Sequence, residues 1–255
     1  MRANQHFVRQ ITNLVAIIAA FGINILANLN PPNGMTVGDI SNQIFNDVLI
    51  TPANYAFAIW GVIYLGLISF AVYQALPSQR DNPILVRLGW GIAIASMAQI
   101  IWIFCFLYLQ FVLSLVLMLV ILFSLIFAYL RLPNQRLART AKLLVKIPLS
   151  IYLAWISVAT IVNGAIVLDY WQWNGWGISP QIWTVIMVIV AGVIGTILAI
   201  QNNLAFVAVY LWALVAIAIR NSATIIIATA VVIAIILAAI LFLNQIKHQN
   251  ISPKA

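Results

Sequence analysis

The sequence predicts an all-α fold: a polytopic transmembrane helix bundle of about eight spans. Three observations predict it. Hydrophobic residues make up 65% of the chain and charged residues 6%, with a mean hydropathy of +1.09. No side chain with a full charge falls in the middle of any long apolar run. Many of those runs approach the ~20 residues that cross a hydrocarbon core. A soluble domain of 255 residues needs a charged surface that this composition cannot supply. In lipid, every backbone N–H and C=O must be paired within the protein, which only helices or closed barrels achieve. A barrel would alternate apolar and polar residues in stretches of roughly 10. The runs here are continuous, so the spans are helical.

The first run is Gln10–Leu29. It follows Arg2 and Arg9, as the core of a signal peptide would. It is longer than such a core, and no A-x-A site follows, so it reads as an uncleaved first span. Asn30–Thr51 is the longest connection, with Pro31, Pro32, Gly34 and Gly38, and a short helix is expected near Asp39–Val48. A loop of this length suits a lid or a binding element. The second span is Pro52–Leu76, with Pro52 fitted to a first helical turn. Pro77–Pro83 is a short polar turn. Leu85–Leu130 is then almost uninterrupted, and as one helix it would measure ~69 Å, about twice a bilayer core. It must fold back, with the reversal expected near Tyr108–Gln110, which gives spans three and four. After the basic connection Arg131–Lys146, span five is Ile147–Leu168. Asp169–Pro180 carries WQWNGWG. Trp171, Trp173 and Trp176 there suit an interfacial aromatic belt, with a ligand-stacking loop as the other reading. Span six is Gln181–Ile200. Span seven, Leu204–Ile219, follows the break Gln201-Asn202-Asn203. Span eight, Ala223–Leu243, follows the reversal Arg220-Asn221-Ser222.

The net charge of +8 is read as a topology signal, not as a nucleic-acid surface. With eight spans and a cytoplasmic N-terminus, every basic residue except Arg220 falls inside, Arg136 and Lys254 included. Asp39, Asp47 and Asp169 fall outside. The expected location is a bacterial inner (plasma) membrane, with both termini cytoplasmic. The single Cys105 excludes a disulfide within the chain. His6 and His248 lie near the two ends, which argues against a haem held by an intramembrane histidine. Intramembrane carboxylates, lysines and histidines mark ion and proton pathways, and the spans lack them. No nucleophile–base pair, metal-ligand set or phosphate loop is present in the sequence, so no catalytic residue, metal ligand or required cofactor is assigned.

What remains is aromatic and neutral-polar. Span two carries Tyr55, Phe57, Trp60 and Tyr64, and the last two share a face at a spacing of four. Span three carries Gln99, Trp102 and Phe106 on one stripe. Span five carries Tyr152, Trp155, Ser157, Thr160 and Asn163, with Tyr152, Trp155 and Asn163 on one broad face. An amide in hydrocarbon seeks a partner on another helix, so Gln99 and Asn163 should point inward. Two readings stand side by side: aromatic knobs and amide glue between helices, or a pocket for a large, flat, mostly apolar ligand that needs rings and a few polar groups but no charges.

Three segments resemble the TspO/MBR family, the tryptophan-rich sensory proteins related to the mitochondrial translocator protein. TPANYAFAIWGVIY (Thr51–Tyr64) resembles the family's second-helix motif, tryptophan then tyrosine four later. QIIWIFCF (Gln99–Phe106) resembles Asn-x-x-Trp-x-x-x-Phe, with Gln99 in place of asparagine. PLSIYLAWISVATIVN (Pro148–Asn163) resembles Tyr-x-x-Trp followed by Thr and Asn, here Tyr152, Trp155, Thr160 and Asn163. The tyrosine-then-basic pattern expected for sterol at the end of helix five is missing, because Tyr170 is followed by WQWNGWG.

The resemblance covers about residues 10–170 as five spans. It implies a five-helix unit over 1–170 and three further helices with a short tail over 171–255. It also implies a protein of the lipid bilayer that binds a porphyrin or another hydrophobic planar small molecule, with a sensory or transport role and the homodimer as an open option. Trp60, Tyr64, Gln99, Trp102, Phe106, Tyr152, Trp155, Thr160 and Asn163 would line the ligand site, and Asn30–Thr51 would form a lid on the outer side. A permease for a small apolar substrate, a light-dependent porphyrin-degrading enzyme and an assembly scaffold are the alternatives.

Overall fold

The computed structural model describes residues 2–133 and 137–251. Arg136 and Lys254, which enter the orientation argument, lie outside them. The regular elements among the described residues are all helices, with no strand. Eight helices dominate: α1 (Arg2–Leu29), α2 (Ile59–Ala75), α3 (Gly91–Leu107), α4 (Phe111–Leu130), α5 (Ile147–Tyr170), α6 (Pro180–Ile200), α7 (Leu204–Arg220) and α8 (Thr224–Ile251). Six are long and apolar enough to cross a membrane, α2 when continued from the preceding turn Asn54–Ala58. α3 and α7 are shorter apolar helices, and their 17 residues span about 26 Å at 1.5 Å per residue.

The reversals sit where polar residues interrupt the apolar runs. Tyr108–Gln110 turns the chain between α3 and α4, with Leu109 at φ 61°. Asn202 at φ 56° does the same between α6 and α7. Asn203 then accepts from Phe206 N–H at 3.2 Å, capping α7. Ser179 caps α6 ahead of Pro180. One break was not expected. The run from Leu85 is divided at Gly89, whose φ of 62° ends the short helix Pro83–Leu88 before α3 begins at Gly91. Apolar periodicity carries no trace of a left-handed residue inside it. The loop helix also starts earlier than expected, as Val37–Asp39 continued by a wider turn over Ile40–Ile44. A capping box at Thr36 and Asp39 sets its start.

Five helices close a ring in the order α2, α1, α3, α4, α5, with α5 returning to α2. α7 packs on the outside of α5 and on the 3-10 turn Asn54–Ala58 that leads into α2, while α6 and α8 pack on α7 and on each other. Small residues allow the closest approaches, as lipid-embedded helices require. A Cβ at Gly66 would stand 3.2 Å from Pro148 Cβ, and one at Gly192 would stand 2.8 Å from Ile233. Asn203 ties three helices at one point, donating to Tyr129 Oη at 2.8 Å and to Ser150 Oγ at 2.9 Å.

Candidate functional site

One mouth of the ring is covered by the 30–51 loop. Asn33 donates to Leu107 O at the end of α3 (2.6 Å), and the Phe45 ring meets Phe111 edge-on at the start of α4 (4.8 Å). On the far side Arg220 reaches four loop carbonyls, Phe45, Asn46, Val48 and Thr51. Asn221 donates to Leu49 O, and Ala53 N–H to Ala216 O. Thr36 holds the loop helix, and hydrogen bonds from its hydroxyl and N–H keep the Asp39 carboxyl below the usual carboxylate range.

Beneath the loop lie two spaces that share a wall of Val37, Phe57, Trp60 and Trp102. The inner one, about 30 Å³, is bounded by Trp155, Asn163 and Phe106. It holds a water at most. The outer one, about 400 Å³, lies between α1, α2 and the loop, with Tyr64, Phe21, Asn24, Asn28 and Asn54 on its walls. That volume falls within the range of small-molecule pockets.

The nine residues singled out in the sequence are therefore distributed, not gathered. Trp60, Tyr64 and Trp102 line the larger cavity, with Trp60 and Tyr64 stacked at 5.6 Å and 29°. The Tyr64 hydroxyl is spent on Ala20 O at 3.2 Å. Phe106, Trp155 and Asn163 border only the small inner space. Tyr152 is buried, its ring 6.2 Å from that of Trp60, and borders neither cavity. Thr160 points its hydroxyl back at Ile156 O in its own helix, 2.7 Å away. Gln99 is buried, and its amide has no partner among the described residues.

Asn163 acts as a polar hub. Its Oδ1 accepts from Trp102 Nε1 (3.1 Å) and from Ser114 Oγ (3.2 Å), and its Nδ2 lies 3.0 Å from the same hydroxyl. One amide thus fixes the indole that separates the two spaces and joins α3, α4 and α5. No sequence motif marks Ser114, although it is one of two serines inside α4. The pair Asn24 and Asn28 also went unnoticed. Their spacing of four puts two amides on one face of an apolar helix, a signal that was available.

The Trp-rich connection forms its own aromatic group. Trp173, Trp176 and Trp183 lie 5.2–6.0 Å apart, and Trp171 and Trp176 are largely exposed. Among the described residues no three His, Cys, Asp or Glu side chains come together as metal ligands.

No curated protein and no solved structure matches the chain. The family model for TSPO-like proteins matches residues 10–243. The match runs on through α6 and α7 and most of α8, beyond the segment in which the motifs were recognised. The chain is a membrane protein that belongs to the TSPO-like protein family.

Proposed function

We propose that this protein binds a hydrophobic planar ligand of the porphyrin type in the cavity between α1, α2 and the loop, in a sensory or transport role. One observation carries the reading: about 400 Å³ of space walled by Trp60, Tyr64 and Trp102 under a docked loop. Indole and phenol faces stack on a flat ring system, each pair worth ~0.5–1.5 kcal/mol beyond burial. Trp155, Tyr152 and Asn163 support the wall from behind, and Thr160 belongs to helix packing.

Protoporphyrin titrated into the purified protein is expected to quench tryptophan fluorescence saturably. Trp60→Ala should weaken the midpoint about tenfold, the loss of roughly one stacked wall. A midpoint unchanged in Trp60→Ala would remove the cavity from consideration.

The proposed membrane arrangement has all eight helices crossing and both termini in the cytoplasm, which places the loop and the cavity on the outer side. Reporters fused to the two termini should then report the same, cytoplasmic, compartment. Termini on opposite sides would break the arrangement.

A further inference from the structure

Charge is missing from the cavity in a way that bears on what fills it. Its polar wall consists of Asn24, Asn28, Asn54 and Thr36, and no Lys, Arg, His, Asp or Glu lines it. Thr36 is already committed, donating from Oγ1 to Asp39 Oδ2 at 2.6 Å and accepting from Asp39 N–H. Asn28 Nδ2 is taken up by Asn24, at 2.8 Å to its carbonyl and 3.3 Å to its Oδ1. What remains is amide N–H and C=O, the complement of carbonyl, ester, hydroxyl or ring N–H groups.

A carboxylated ligand would need cations here, because a carboxylate moved out of water is costly unless paired. The cation that contacts the loop, Arg220, is turned away from that task. Its two terminal nitrogens are occupied by four backbone carbonyls of residues 45–51, at 2.8–3.3 Å. The cavity also has an open side. Ile25, Asn28 and Leu29 of α1 and Gly61 of α2 are exposed residues on its rim, and a Cβ at Gly61 would meet nothing within 4 Å.

We infer that this cavity selects an uncharged ligand, a planar ring compound with neutral carbonyl or hydroxyl groups, which reaches it from the lipid between the outer ends of α1 and α2. The inference rests on the ligand reading above and narrows it to one charge class.

Protein in nanodiscs of neutral lipid, titrated with protoporphyrin IX and separately with its dimethyl ester, tests it. The two probes share a ring and differ in two negative charges. The diester is expected to bind at least tenfold tighter by tryptophan quenching, and the weaker diacid binding should change little between low and high salt. Asn28→Lys, at an exposed rim position, should raise diacid affinity severalfold and make it salt-sensitive. A diacid that binds wild type as tightly as the diester, or tighter, overturns the charge selection alone. Quenching by neither porphyrin overturns the ligand reading itself, and the charge selection falls with it.

Discussion

Trp155→Ala is expected to cost about 3–5 kcal/mol of stability, the range for truncating a large aromatic in a close-packed interior. Trp155 is 2% exposed, packs edge-on to Phe57 at 5.9 Å, and sits where α5 is buried against its neighbours. The space beside it, about 30 Å³, is too small to let the surroundings collapse usefully, so the missing indole leaves a void. Trp60 differs. It is half-buried, and one side already faces the cavity of about 400 Å³, so Trp60→Ala should cost well under half as much while weakening ligand binding. Thermal unfolding in detergent, followed by helical circular dichroism, should show a drop of roughly 10 °C for Trp155→Ala and a small one for Trp60→Ala. Equal stability losses in the two variants would place Trp155 on a ligand wall and contradict the division between the two spaces.

That division shows what a sequence can and cannot convey. Helical spacing identifies which side of a helix faces inward, and on that count Trp60, Trp102, Tyr152, Trp155 and Asn163 all sit inside the bundle. Spacing does not give depth, nor what lies opposite. Tyr152 and Thr160 share a helix with Trp155, yet one is packed solid and the other bonds its own backbone. The helix count was legible because lipid punishes any unpaired backbone, so every apolar run must begin and end at polar residues. Tyr108–Gln110, Gln201–Asn203 and Arg220–Ser222 each proved to be reversals. Gly89 did not announce itself, since a single residue at positive φ leaves hydropathy unchanged. The ring order was also hidden. It places α1 between α2 and α3, and so makes Asn24 and Asn28, which no motif marked, part of the cavity wall.

Arg220→Met is expected to release the 30–51 loop while leaving the helices intact. Arg220 ends α7, where a cation also answers the unpaired carbonyls of a helix C-terminus. Its Nη1 donates to Val48 O at 2.8 Å and Thr51 O at 3.3 Å, and its Nη2 to Asn46 O at 3.1 Å and Phe45 O at 3.3 Å. A planar fork of donors suits four converging carbonyls in a way an ammonium cannot. Hydrogen bonds from a charged donor contribute about 1.5–3 kcal/mol where buried. Because this set is only partly buried, a total near 3 kcal/mol is expected. Local opening of residues 45–51 should then rise about a hundredfold, read by amide exchange at Val48 and Thr51, whose N–H groups bond Phe45 O and Val48 O within the same segment. Arg220→Lys should recover only part of the protection, and exchange within α4 and α5 should not change. If Arg220→Met exchanges no faster than the parent, the loop is held by Phe45 against Phe111 and by Asn33 at the end of α3. Arg220 would then serve only the C-terminus of α7, and the hold of α7 on the loop would rest on Asn221 at Leu49 O and Ala53 at Ala216 O.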